Sequence, residues 1–301
     1  MLVRPPRQRD AALALLRTSR PDQVLLILVV FAAGVAAGTA PGTVPGIGVG
    51  AAALALVLVA VSVHMANEYA DVDTDALTTR TRFSGGSGAI TDMAVHRRTV
   101  LAAAVATGAG GALVAALALL AGALSSSALL LLAVGLVGGW LYSVGPFALS
   151  RHGWGEVANA TLGGLVLPMF GVASSAGRLS AADVVVFVPF ALLVFVNLLE
   201  TQWPDRIADR AVGKHTVTSR LSATGVRRLA LGLVAAAYTL LLLMTPEPLP
   251  PTVAAASFLA LPLSVWGLLR LTRAPAPLPA VLAMVAILVA QGIAWGIGWA
   301  S

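Results

Sequence analysis

Apolar positions in this chain fall in long unbroken runs. They show neither the alternation of a half-buried strand nor the one-sided stripe of a surface helix. Runs of about 20 apolar residues are long enough to cross a bilayer as helices. Nine can be counted, at residues 22-38, 47-67, 99-123, 127-149, 155-176, 182-202, 227-244, 252-271 and 278-299. The pattern predicts an all-α, polytopic membrane protein with nine transmembrane helices around a central apolar cavity. Residues 1-21 read as a cytoplasmic N-terminal segment and 22-301 as one transmembrane domain, with no obvious internal repeat. Within the first segment, Asp10 to Arg17 carries Leu13, Leu15 and Leu16 and suits a short amphipathic helix on the membrane surface. Arg4, Arg7 and Arg9 are not followed by a long apolar core before the next charges, so a cleavable signal peptide is not expected.

Composition sharpens this picture. A chain of 301 residues that is 58% hydrophobic and 11% charged, with mean hydropathy +0.90, lies outside the range of soluble domains. Its 30 glycines favour close helix-helix approach within a bilayer. Cysteine is absent, so any metal must be held by oxygen or histidine. The net charge of +6 does not form one nucleic-acid-binding patch, because the basic residues are spread over the connections between runs. With the N-terminus inside, 18 of the 19 Lys and Arg residues fall on the cytoplasmic side, and only Arg178 falls outside. This is the arrangement that topology selection favours, and it is the one expected in a bacterial cell membrane.

The candidate chemistry lies where two apolar runs end. In His64-Met65-Ala66-Asn67-Glu68-Tyr69-Ala70-Asp71-Val72-Asp73-Thr74-Asp75, a continuing helix would place Asn67, Asp71 and Asp75 up one face at about 6 Å intervals. Asp205 and Asp209 make a second ladder, followed by Lys214 in Gly213-Lys214-His215-Thr216. Carboxylates four apart are common on solvated helix faces, but here each ladder has an anion-binding companion. The first leads into Arg80-Thr81-Arg82-Phe83-Ser84-Gly85-Gly86-Ser87-Gly88-Ala89-Ile90, whose glycines free backbone N–H groups to approach an anion. The second leads to Lys214, a compact cation suited to phosphate. Facing carboxylate ladders suit Mg²⁺ ions that hold a diphosphate, since this hard cation takes a few carboxylates and completes its shell with water and phosphate oxygen.

These residues resemble the UbiA superfamily of intramembrane prenyltransferases. Asn67, Asp71 and Asp75 match its first motif, and Asp205 and Asp209 its second. Their placement after the second and sixth of nine helices extends the resemblance over essentially the whole chain. Tyr142-Ser143-Val144-Gly145-Pro146, Gly153-Trp154-Gly155-Glu156, Phe83 to Gly88 and Gly213 to Thr216 are similar to the branch that prenylates 1,4-dihydroxy-2-naphthoate in menaquinone biosynthesis. The resemblance implies Mg²⁺ held by Asn67, Asp71, Asp75, Asp205 and Asp209, a polyprenyl diphosphate substrate and an aromatic acceptor. Arg80, Arg82 and Lys214 would neutralise phosphate, and Tyr142 would face the allyl cation. Asp75 or Glu156 would serve as base.

One departure is the turn Glu200-Thr201-Gln202-Trp203-Pro204, where many members place Asn or Asp four residues before Asp205. Thr201 is a poorer ligand, so either Glu200 supplies the missing carboxylate or a Mg²⁺ ion keeps an extra water, and Pro204 should hold Trp203 extended. Asn197, four residues before Thr201, would extend this face toward the substrate. His64, one turn before Asn67, could touch substrate but reads rather as a packed intramembrane histidine, Asn159 and Gln291 read equally as facing a cavity or as bonding helix to helix, and Arg97 and Arg98 read as topology signals. Two other functions share parts of this pattern. A cyclase would ionise the same diphosphate without an acceptor, and a cation-coupled transporter would be expected to carry its carboxylates at mid-membrane rather than at helix ends.

Overall fold

The computed structural model describes residues 8–44, 46–77, 86–93, 95–273 and 278–300. Among these residues the chain is all-helical, as the runs predict, because in lipid a helix satisfies its own backbone polar groups. A short helix α1 (Gln8–Thr18) precedes the bundle. The long helices are α2 (Pro21–Gly38), α3 (Ile47–Asp75), α4 (Arg97–Leu120), α5 (Ser126–Ser143), α6 (Gly155–Ala176) and α7 (Ala181–Gln202). Two short helices, α8 (Arg206–Ala211) and α9 (Val217–Arg220), follow α7. The bundle closes with α10 (Ala223–Leu243), α11 (Pro251–Arg270) and α12 (Leu278–Ala300). Nine of the described helices are long and apolar enough to cross a membrane, so this is an integral, multi-pass membrane protein.

Glycine sets how closely two of these helices approach. A Cβ placed on Gly171 of α6 would lie 2.3 Å from the Phe31 carbonyl oxygen of α2, and one on Gly34 would lie 2.0 Å from the Pro168 carbonyl oxygen. Only hydrogen fits at either point, and the Phe31 and Phe170 rings close the same contact at 5.3 Å. Proline marks the breaks. Ahead of Pro168, α6 carries a π-helical turn over Leu162–Val166, in which Leu167 N–H donates to the Leu162 carbonyl five residues back. Helix α7 is interrupted at Phe187, two residues before Pro189, and α11 passes through a 3₁₀ turn at Phe258–Ala260 before Pro262. Removal of a backbone donor by proline explains each irregularity. Helix α5 stops at Ser143 rather than near 149, because Gly145 turns the chain with φ +87° and Pro146 follows.

Helix α1 buries Ala14 in a cluster with Met65 and Ala66 of α3 and Val100 and Ala104 of α4, and leaves Leu13 and Leu16 exposed. Gln291 of α12 donates to Ser257 Oγ of α11 at 2.9 Å, the helix-helix role considered for it. An apolar groove of about 380 Å³ opens between α3, α4 and α5. There the Trp140 indole donates to Ser62 Oγ at 3.0 Å and Ser62 donates to the Ala104 carbonyl at 2.6 Å.

Candidate active site

Helix α3 runs unbroken through the acidic stretch to Asp75, so the first ladder exists as spacing predicts. Asn67 Nδ2 donates to Asp71 Oδ2 at 2.9 Å and to Ser143 Oγ, at the end of α5, also at 2.9 Å. Asp71 is 7% exposed, and its Oδ1 is buried without a hydrogen-bond partner. Asp75 closes the helix against Gly86, which takes φ +66°; a Cβ there would lie 2.2 Å from Asp75 Oδ2. This glycine therefore serves close packing on a ladder carboxylate, a role different from the anion contact expected of the loop.

The second ladder is assembled differently. Helix α7 ends at Gln202, the chain makes a tight turn, and α8 begins with Asp205 at its N-cap. Asp209 is buried within α8, its backbone N–H donating to the Asp205 carbonyl at 2.8 Å. Gly213, with φ +71°, reverses the chain so that Lys214 N–H donates back to the Asp209 carbonyl at 2.8 Å. Thr216 adds a longer bond, Oγ1 to Asp209 Oδ2 at 3.4 Å.

Lys214 joins the two. Its Nζ lies 3.7 Å from Asp71 Oδ2 and 3.8 Å from Asp209 Oδ1, so these carboxylate oxygens are separated by no more than the sum of those distances. Burial works against the lysine charge, but Asp71 and Asp209, with Tyr142 and Asp75, outweigh it and push its pKa up. Burial raises the Asp209 carboxyl to about 6, against the opposing influence of Lys214. Arg151 ties the same regions through the backbone: its Nη2 donates to the Ala70 carbonyl at 3.3 Å and its carbonyl accepts from His215 N–H at 2.9 Å. Tyr142 lies within electrostatic reach of Lys214, Asp71, Glu156 and Asp209. Glu156 accepts from Val217 N–H at 2.6 Å through Oε1, while its Oε2 is buried with no hydrogen-bond partner.

The structure therefore gathers Asn67, Asp71, Asp75, Asp209, Lys214 and Tyr142, with Asp205 joined to Asp209 through the backbone of α8. Arg80 and Arg82 lie outside the described residues. Glu200 is not brought to this group: its buried carboxylate lies at the first-turn N–H of Ala280 in α12 and fits beside Gly267 of α11. Its Oε1 is buried without a hydrogen-bond partner. Thr201 bonds back to the Leu198 carbonyl at 3.1 Å. Asn197 stands deeper in α7, half-buried, with no hydrogen bond to its Oδ1. The expectation of an extended Trp203 is overturned, since it has φ −55° and ψ −43°. Arg206 stacks over its ring at 4.1 Å and donates to its carbonyl at 2.7 Å, which holds the helical turn against the pre-proline preference. Arg97 does more than mark topology, for it donates to the Tyr69 carbonyl at 2.8 Å and covers the Tyr69 ring.

Glu68, Arg20 and Ser87 carry contacts that periodicity does not reveal. Glu68, 3% exposed, accepts from Arg20 Nε at 3.0 Å and also pairs with Arg20 Nη2. It accepts from the Ser87 backbone N–H at 2.9 Å and from the Ser87 hydroxyl at 2.7 Å. The only sequence signal was a carboxylate beside Asn67 with no place in the four-residue repeat. Among the described residues no group of three or more Asp, Glu or His side chains lies close enough together to hold a metal ion. The carboxylates instead surround a cation and retain free oxygen at Asp71.

No curated protein sequence matches the chain. In three dimensions it is similar to a UbiA homolog from Archaeoglobus fulgidus bound to GPP and Mg²⁺, with TM-score 0.72 and 17% identity over 95% of this chain and 98% of that one. The same homolog bound to DMAPP and Mg²⁺ gives 0.70 and 17%, over 94% and 99%. The apo UbiA homolog from Aeropyrum pernix K1 gives 0.68 and 20%, over 92% and 96%. These likenesses establish a shared fold. A model of the UbiA prenyltransferase family matches residues 26–290, which is most of the chain, and the protein belongs to that family.

Proposed function

We propose that this protein transfers an isoprenyl group from an allylic diphosphate to an aromatic, quinone-precursor-like acceptor within the membrane. The observation that carries this reading is Lys214, held between Asp71 and Asp209 from two distant parts of the chain. A buried lysine flanked by carboxylates suits a ligand that brings its own negative charge together with a divalent cation. Asn67, Asp71, Asp75, Asp205 and Asp209 are hard oxygen donors appropriate to Mg²⁺, and the unpartnered Asp71 Oδ1 is free to meet it. The archaeal structures bound to Mg²⁺ with DMAPP or GPP support the same pairing of metal and substrate. When bound, Mg²⁺ would supply charge neutralisation to the departing diphosphate.

The chain's own residues account for the remaining requirements. Lys214, with Arg80 and Arg82, would bind phosphate oxygens and hold the leaving group at the ladder end of the bundle. As the allylic carbon–oxygen bond breaks, its electron pair leaves with the diphosphate, and the Tyr142 ring face would stabilise the allyl cation. Apolar helices would exclude water until the acceptor ring attacks. Glu156 Oε2 or Asp75 would take the acceptor's proton. Tyr142 to Pro146 and Gly153 to Glu156 favour a 1,4-dihydroxy-2-naphthoate-like acceptor. The basic residues in the connections support a cytoplasmic position for this end.

Membranes carrying the protein would be incubated with geranyl, farnesyl or geranylgeranyl diphosphate and a panel of aromatic acceptors, with and without Mg²⁺. The expected result is prenylated acceptor formed only with the metal. Terpene hydrocarbon or alcohol accumulating equally without any acceptor would replace this reading with cyclisation, and consumption of neither substrate would contradict both.

A further inference from the structure

Helix geometry explains why Glu68 differs from its acidic neighbours. Residues four apart advance by about 40° around a helix of 3.6 residues per turn. By its third rung, the ladder Asn67-Asp71-Asp75 has therefore drifted to the flank from which Glu68 projects. On that flank lies the segment Gly86–Ala89. Glu68 accepts from the Ser87 N–H at Oε1 and from the Ser87 hydroxyl at Oε2, and Arg20, at the junction of α1 and α2, donates to the same Oε1. Ser87 Oγ in turn accepts from Ala89 N–H at 3.2 Å, and Ala89 is fully buried in the cluster that holds Ala14 of α1. Gly86, immediately before Ser87, is the residue pressed on Asp75 Oδ2. Asp75 itself is the last residue of α3, where no following helical turn restrains its side chain.

We propose that Glu68 is a positioning residue: by fastening Ser87 to Arg20 it keeps Gly86 packed on Asp75 and so fixes where Asp75 presents its oxygens. This rests on the reading of the ladders as a metal-diphosphate site. Glu68 acts through Asp75 without being a ligand. Its charge is already matched by Arg20 and its oxygens by Ser87.

The test is a double-mutant cycle on the full-length protein. The readouts are Mg²⁺-dependent affinity for a non-ionising geranyl thiolodiphosphate, KM and kcat for the diphosphate, and melting temperature. Glu68→Ala should weaken analogue binding and raise KM about tenfold, the usual scale for a residue that orients a ligand. Asp75→Asn should weaken binding at least as much. In the Asp75→Asn background, Glu68→Ala should add less than a twofold effect. Gly86→Ala, which reaches Asp75 without touching Glu68, should reproduce the KM rise and the same non-additivity. It also keeps the test available where Glu68→Ala does not fold. A full tenfold loss on adding Glu68→Ala or Gly86→Ala to Asp75→Asn would overturn the proposal, as would unchanged binding in the single variants. Analogue binding that follows this cycle while no acceptor is prenylated would refute the proposed reaction and leave the positioning role standing. Prenyl transfer indifferent to Glu68 and Gly86 would do the reverse.

Discussion

The two carboxylate ladders reach the same lysine by different means. The first is part of a helix: α3 spans Ile47–Asp75 without interruption, and its backbone bonds alone place Asn67, Asp71 and Asp75 in register. The second is part of a turn. Helix α7 ends at Gln202, α8 has six residues, and Asp209 owes its position to Gly213, to the return bond from Lys214 and to Thr216. A regular element tolerates the loss of one side-chain contact. A folded-back loop has few contacts to spare, so the second ladder should be the more sensitive to changes around it.

Breaking either ladder outright should have the largest effect. Asp71→Ala and Asp209→Ala should each lower turnover by roughly 10²–10³-fold, the scale for removing a preorganised electrostatic group from a reacting centre, measured as labelled product in membranes. Lys214→Met should come next, lowering turnover by about 10²-fold. It should also lower the melting temperature, because Asp71 and Asp209 would lose their shared counter-charge. The comparison itself is tested by a milder pair. Thr216→Val removes the hydroxyl on Asp209 and should raise KM for the diphosphate about fivefold, in line with about 1 kcal/mol for a typical hydrogen bond. Ser143→Ala removes the corresponding hydroxyl from Asn67 and should change KM less than about twofold, since α3 still holds the ladder. Equal sensitivity at the two positions would show that both ladders depend on side-chain support alike.

This contrast also accounts for how much was legible in the sequence. Hydropathy gives the nine spans because crossing lipid demands length and apolarity, and a four-residue repeat at the end of one span gives the first ladder. Boundaries fail where a local breaker acts: α5 ends at Ser143 because of Gly145 and Pro146, although hydrophobicity continues through Phe147 and Leu149. Contacts between segments far apart in sequence carry no periodic signal. Nothing local announces that Lys214 meets Asp71, that Glu68 holds Ser87, or that Glu200 turns to the start of α12. Trp203 shows the same limit for backbone preference, since the Arg206 side chain overrides what Pro204 would impose.

Acidic residues from α3 and α8 converge at one end of the bundle. The natural chain has no cysteine, so an engineered pair is free of background. Asp71→Cys combined with Asp209→Cys would be treated in membranes with a short bifunctional thiol reagent, with Asp71→Cys plus Asp183→Cys, at the far end of α7, as the reference pair. Intramolecular cross-linking of the first pair and none of the second is the predicted result. Failure of the first pair to cross-link while both thiols react singly, or equal cross-linking of the two pairs, would contradict the convergence on which the proposed chemistry depends.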